Sequence, residues 1–294
     1  MMMNSLKPMT LIAGPCVIED EGIVMEIATE LKRQLSGLPV QLFFKASFDK
    51  ANRSSIDGFR GPGLTEGLKI LEKVKAKLNL PLVTDVHAVD QVEAVASTID
   101  FLQMPAFLCR QTDLVVALAE AALKWNRKLN IKKGQFLAPW DAKNIVEKVR
   151  AVEAKHAGNS NFTSKKVDLY LTERGTSFGY NTLVVDMVSF QTMKQFGVPV
   201  IYDATHSVQQ PGAGPGGKTT GGKREYIETL TRAAFAAGAD GLFMECHPRP
   251  EQAKSDGPNA FYLEHVGAFV KQILEFRQLA HSTPYLLPET KNFK

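Results

Sequence analysis

Cysteine is scarce in this chain: 294 residues hold three, Cys16, Cys109 and Cys246. So few thiols, and an odd number of them, give no disulfide framework and fit a reducing compartment. Excess charge of one sign is also missing. Lys and Arg number 35 against 31 Asp and Glu, a formal net charge of +4. That is too little to argue for nucleic acid or a membrane surface as partner. No apolar run approaches the ~18 residues of a membrane span. The opening MMMNSLKPMT lacks a charged leader followed by an apolar stretch and a small-residue cleavage site. These absences set the expectation of a cytoplasmic protein. Apolar residues are plentiful at 44%, enough for a full core.

Those residues alternate between two periods. Apolar runs at 11–18, 41–48, 82–87, 101–106, 129–136, 167–173, 198–205 and 241–245 read as strands. Helical spacing follows each of them, at 22–35, 64–78, 89–96, 112–125, 142–154, 183–195, 224–237 and 260–279. In the first, Ile23, Ile27, Leu31 and Leu35 mark the face. Eight strand–helix units predict a (β/α)8 TIM barrel, one domain over 1–294 with no linker. A doubly wound open sheet is the alternative, but it gathers its site at one switch point. Here nearly every strand ends in polar or charged residues, which suits a barrel drawing on all eight loops. Two loops are long. The 156–166 segment falls on the face away from those ends and reads as structural decoration. The segment 209–223, QQPGAGPGGKTTGGK, falls on the same face as the strand ends and reads as a mobile lid.

The strand ends carry Cys16, Lys45, Asp85 with His87, Gln103, Lys132 with Lys133, Glu173 with Arg174, Asp203 with His206, and Glu245 with His247. Asp256 follows the eighth. Unpaired buried charge is costly, so this set reads as a site. Lys45, Lys50, Arg53, Lys132 and Arg174 suit a ligand with more than one anionic group. Taken alone, the basic loop after strand two reads equally as a solvated turn. Cys16, His206, Glu245 and Asp256 come from strands one, seven and eight, which are neighbours once a barrel closes. A thiol, an imidazole and two carboxylates make a divalent transition-metal set, with zinc, iron, manganese and cobalt all admitted. Without closure, Cys16 reads as buried filler. Cys246 is expected to face away from Glu245, because strand side chains alternate. His87 and His247 shape the rim or satisfy hydrogen bonds. Arg110 also reads as a helix-start partner of Asp113, and Glu173 as a partner of Arg174 or a lysine.

These segments together resemble the 3-deoxy-D-manno-octulosonate 8-phosphate synthases. The matching pieces are IAGPC (12–16), FFKASFDKANRSS (43–55), FRGPG (59–63), TDVH (84–87), QMPAFLCRQTDL (103–114), NIKKGQF (130–136), LTERGTSFGYN (171–181), YDATHSVQ (202–209) and MECHPRPEQAKSDGPN (244–259). KANRSS is the most specific, since the sibling 3-deoxy-D-arabino-heptulosonate 7-phosphate synthases carry a KPRTS-like segment there. The resemblance implies condensation of phosphoenolpyruvate with D-arabinose 5-phosphate, in the pathway to Kdo and lipopolysaccharide. It implies that Lys45, Lys50, Gln103, Lys132, Arg174 and the backbone of Ala106 hold phosphoenolpyruvate. Asn52, Arg53 and Ser54 would hold the sugar phosphate, with Asp85 near its hydroxyls. Lys45, Lys50, Asp85, Lys132 and His206 would be the catalytic group. Arg110 would reach a neighbouring subunit's site in a homotetramer. Cys at position 16 marks the metal-dependent branch, where the other branch has Asn. The segment AKSDGPN departs towards that other branch but keeps Asp256. The rivals are the sibling synthase using erythrose 4-phosphate, a Schiff-base aldolase using Lys132 or Lys45, and a non-catalytic sugar-phosphate binder.

Overall fold

The computed structural model describes residues 6–53, 55–214, 220–283 and 286. Ser54, part of the 209–223 loop (residues 215–219) and most of the C-terminal tail lie outside the described residues. The barrel strands are β1 (Met9–Gly14), β2 (Val40–Lys45), β3 (Leu82–Asp85), β4 (Phe101–Met104), β5 (Lys128–Lys132), β6 (Asp168–Glu173), β7 (Val200–Asp203) and β8 (Gly241–His247). Each pairs in parallel with its sequence neighbours. β8 closes on β1, in register from Thr10 against Gly241 to Gly14 against Glu245. The closure rules out the open sheet. β3, β4, β7 and β8 are buried at every residue, which is why they read as continuous apolar runs.

The helices are α1 (Glu21–Gln34), α2 (Leu64–Leu78), α3 (Val92–Thr98), α4 (Thr112–Trp125), α5 (Lys143–Lys155), α6 (Val188–Lys194), α7 (Ile227–Ala236) and α8 (Val266–Ser282). α1 starts where the Asp20 side chain accepts from the Ile23 amide, and it buries Val24, Ile27, Ala28 and Leu31. α2 and α4 stop at Asn79 and Asn126, both left-handed, a conformation asparagine tolerates better than most residues. Helix faces and outward strand residues form the larger core. A second cluster fills the barrel: Ile12, Phe43, Val83, Phe101, Ile201 and Phe243, with Tyr170 against them. Phe101 packs on Phe43 at 5.2 Å and on Tyr170 at 5.0 Å.

Two stretches read as helix are short strands. Leu183–Val184 is not helical; it pairs antiparallel with Thr176–Ser177 in a small hairpin, and α6 starts only at Val188. Phe261–Tyr262, read as the start of the last helix, instead runs parallel beside Cys246 and His247. The stem of the 209–223 loop is a ribbon of Gln209–Gln210 against Gly221–Gly222. The 156–166 loop packs on the far end of α4, where the Thr163 hydroxyl donates to the Lys124 carbonyl and Phe162 lies 4.2 Å from the His156 ring. Among the described residues, no helix is long and apolar enough to cross a membrane.

Candidate active site

Alternation of strand side chains aims the site. Two residues beyond the inward Phe43, Val83, Phe101, Ile201 and Phe243 stand Lys45, Asp85, Gln103, Asp203 and Glu245. A polar layer therefore rests on an apolar floor. Lys132 shows the contact directly, with its ammonium 3.4 Å from the centre of the Phe243 ring. Gly14 lets the tops of β1 and β2 meet, since a Cβ there would lie 2.0 Å from the Lys45 carbonyl oxygen. Above the layer opens a cavity of about 410 Å³. That is the size of a small-molecule site.

Its wall is strongly ionic. Lys45, Lys50, Arg53, Lys132, Arg174 and Lys254 line it, against Asp57, Asp85, Glu245 and Asp256. The Lys45 ammonium donates to Glu245 Oε1 at 2.6 Å and to the Cys16 carbonyl at 2.9 Å. Lys50 stands 3.9 Å from the same carboxylate. Lys132 donates to Asp203 at 2.7 Å. The Asp203 carboxylate also takes His206 Nδ1 at 2.9 Å, which leaves Nε2 turned to Glu245, 3.8 Å away. Arg174 donates through Nη2 to Gln209 in the loop stem at 2.6 Å. Its buried Nη1 has no partner among the described residues, so the guanidinium at the cavity wall keeps an unspent donor.

The charges tune one another. Burial alone would raise the carboxyls of Asp85, Asp203 and Glu245, but neighbouring cations outweigh it and hold all three below the ordinary range. Lys45 acts most on Asp85 and Glu245, and His206 with Lys132 on Asp203. Burial opposes the charge on Lys50, yet the carboxylates of Glu245, Asp85 and Asp256 favour it and raise it overall. Burial pulls Lys132 and Arg174 down. Depressed folded-state carboxyls stabilise the fold above their unfolded values near about pH 4. That stabilisation is lost as pH falls towards the folded-state values. Thermal melts should therefore show a steep fall in midpoint below about pH 4. A midpoint unchanged from pH 6 to pH 3 would contradict these ion pairs.

Cys16, Glu245 and Asp256 bring one donor atom each within 4.8 Å of one another. The Cys16 thiol lies 3.0 Å from the Ser255 hydroxyl and 3.3 Å from an Asp256 oxygen. Burial and Glu245 push that thiol up, so an ion would have to displace its proton. Asp256 is held left-handed at φ 50°, which a rigid surrounding loop must impose. His206 stands outside the compact group of three and meets it through Glu245. A buried thiol, two carboxylates and an adjacent imidazole fit a divalent transition ion.

The remaining expected residues are placed as follows. Asn52, Arg53 and Ala106 line the cavity, and Ser54 lies outside the described residues. Gln103 was expected to touch phosphoenolpyruvate, but it is wholly buried and does not line the cavity. Its amide is spent on Asp85 and Asn130. Arg110 is exposed and does not line this cavity. Lys133 faces outward to Thr176 and, at 3.5 Å, to Glu173, which makes both structural. Cys246 sits in the outer core, opposite to Glu245. Sequence reasoning missed Asp203 as the shared partner of Lys132 and His206, although its i, i+3 spacing from His206 at a strand end was visible. It also missed Gln135, Phe59 and Lys254, loop residues that line the cavity without any periodic signal.

Known proteins agree with this geometry. The model of a family described as DAHP synthetase I matches residues 4–282. A protein of Geobacter sp. (strain M21) named 2-dehydro-3-deoxyphosphooctonate aldolase is 53% identical over 267 residues, covering 91% of each chain. A protein of the same name from Trichlorobacter lovleyi is 53% identical over 271 residues, 92% of this chain and 93% of its own. A third, from Geobacter sulfurreducens, is 50% identical over 267 residues, 91% of this chain and 92% of its own. That name denotes the same enzyme as the octulosonate synthase the motifs resemble. The closed barrel, the charged layer at its mouth and a match over nearly the full chain establish that this protein belongs to the DAHP synthetase I family.

Proposed function

We propose that the chain condenses phosphoenolpyruvate with D-arabinose 5-phosphate and water. The products are 3-deoxy-D-manno-octulosonate 8-phosphate and inorganic phosphate, on the route to Kdo and lipopolysaccharide. The observation that carries this is a single cavity with two tiers of cations. Lys45, Lys132 and Arg174 are buried at its floor with Lys50 beside them, 3.9 Å from Glu245, and Arg53 and Lys254 stand further out on loops. One tier suits the phosphate and carboxylate of phosphoenolpyruvate, the other the sugar phosphate.

In this reaction carbon 3 of phosphoenolpyruvate attacks the aldehyde carbon and forms the new C–C bond. Water adds to carbon 2, and the C–O bond to phosphate then breaks. The aldehyde oxygen gains a proton and the adding water gives protons up. Lys45, Lys50, Lys132 and Arg174 hold the anions together, and such fixing is worth roughly 7–11 kcal/mol of barrier in favourable cases. Asp203 holds His206 through Nδ1, which turns Nε2 to Glu245, where it can ligate an ion or, when free of one, take or return a proton. Asp85 faces the sugar hydroxyls. Cys16, Glu245 and Asp256, with His206 beside them, would hold a divalent ion that stabilises negative charge developing on oxygen.

A homotetramer and a cytoplasmic location complete the reading. The tetramer is supported by Phe107, Phe136, Trp140, Phe178 and Tyr180, exposed on loops after β4, β5 and β6. Such large apolar side chains grouped on neighbouring loops suit a covered face. Phosphate release from the two substrates, before and after chelation, tests the reaction and its metal together. Activity should fall with chelator and return with an added divalent ion. Activity indifferent to thorough chelation would remove the metal, and no release under any condition would remove the reaction.

A further inference from the structure

Beneath the cavity, polar side chains from five neighbouring strand tops join in one chain of hydrogen bonds. The Thr172 hydroxyl donates to Asn130 Oδ1 at 2.7 Å. Asn130 Nδ2 donates to Gln103 Oε1 at 2.9 Å, and Gln103 Nε2 to Asp85 Oδ1 at 2.8 Å. Ser47 donates to the other Asp85 oxygen. Ser47, Gln103, Asn130 and Thr172 are fully buried, and of these five residues Asp85 is the one that lines the cavity. Inward positions of a barrel core are ordinarily filled by bulky apolar residues. Four buried polar side chains there need a reason.

The direction of the chain supplies one. An ionised carboxylate only accepts, so Gln103 must turn its amide nitrogen to Asp85. Its oxygen then faces Asn130, which must present nitrogen. The Asn130 oxygen in turn faces the Thr172 hydroxyl, which donates. Each amide is held one way round by the next, and the last acceptor is the cavity carboxylate. We propose that Asn130 and Thr172, neither of which lines the cavity, are positioning residues that fix the Asp85 carboxylate towards the sugar hydroxyls through Gln103. This rests on the reaction proposed above.

The test is steady-state kinetics of the full-length protein with phosphoenolpyruvate and arabinose 5-phosphate. Thr172→Val keeps the shape and removes the last donor, leaving Asn130 Oδ1 unpaired in a dry interior. We expect kcat to fall about tenfold and KM for phosphoenolpyruvate to stay within about twofold. Thr172→Ser should restore kcat to within about twofold. In an Asp85→Asn background, Thr172→Val should cost less than about twofold, because the group it acts on is already altered. If thermal melts show that Thr172→Val does not fold, Asn130→Asp serves instead. Assayed at the alkaline end of the activity range, where the new carboxyl is ionised, it places an acceptor against Gln103 Oε1, forces that amide to turn, and should lower kcat at least about tenfold. A wild-type kcat in Thr172→Val, or in Asn130→Asp where that replaces it, overturns the relay. So does the same tenfold loss in both backgrounds, or a serine variant that does not recover. Wild-type protein that releases no phosphate overturns the reaction and the relay's role with it; active wild type matched by Thr172→Val overturns the relay alone.

Discussion

Glu245→Gln is expected to cost both stability and nearly all activity. Glu245 is the common partner of Lys45 at 2.6 Å, His206 at 3.8 Å and Lys50 at 3.9 Å. It is also one of the three converging donors with Cys16 and Asp256. Glutamine keeps the volume and one acceptor oxygen but not the charge, so the buried Lys45 ammonium keeps the Cys16 carbonyl and is left with an Asp85 oxygen 3.9 Å away as its nearest counter-charge. Removing one partner of a buried pair typically costs about 3–5 kcal/mol. The melting midpoint should drop clearly. Loss of the carboxylate at the centre of the site should lower kcat by more than about a thousandfold, some 4 kcal/mol of barrier. A glutamine variant that melts and turns over like wild type would show that Glu245 is neither keystone nor ligand.

Arg53→Ala should act on one substrate alone. Arg53 lines the cavity, and its Nε is spent on the Phe59 carbonyl at 3.0 Å. That bond fixes the guanidinium plane, and its outer nitrogens remain for a phosphate, with a long 3.5 Å contact to the Lys254 carbonyl. Losing such a charge-assisted pair is worth about 3 kcal/mol, or roughly a hundredfold. KM for arabinose 5-phosphate should rise about that much, while KM for phosphoenolpyruvate stays within about threefold. Arg53→Lys should recover part of the loss, because it restores charge without the planar fork. Equal rises for both substrates would remove Arg53 from the sugar-phosphate end.

The barrel was legible because buried parallel strands are apolar throughout and amphipathic helices keep their period. α2 and α4 appear at the expected residues, each running to a left-handed asparagine. Strand ends were overread at Phe48, His87 and Phe136, where the chain stays extended or apolar beyond the last barrel pairing. Leu183–Val184 was misread because two apolar residues upstream of a helix look alike whether they sit in a turn of helix or a hairpin. The charged strand ends were visible for the same reason the fold was: period two puts every second residue inside. Depth was not visible. Gln103 occupies the inward position at its strand end, as Lys45 and Asp85 do, yet its amide is bonded sideways to Asp85 and Asn130 and does not reach up. Hydrogen-bond partners across strands depend on register, which no spacing within one strand encodes, so Asn130 and Thr172 gave no signal.

The most direct test of the proposed reaction compares phosphate release from phosphoenolpyruvate with arabinose 5-phosphate and with erythrose 4-phosphate, with divalent metal present. The expected result is a kcat/KM at least about a hundredfold higher for the five-carbon sugar phosphate, the scale of one well-placed polar contact. A preference for the four-carbon sugar would move the chain to the sibling activity, and no release with either would contradict the reaction itself.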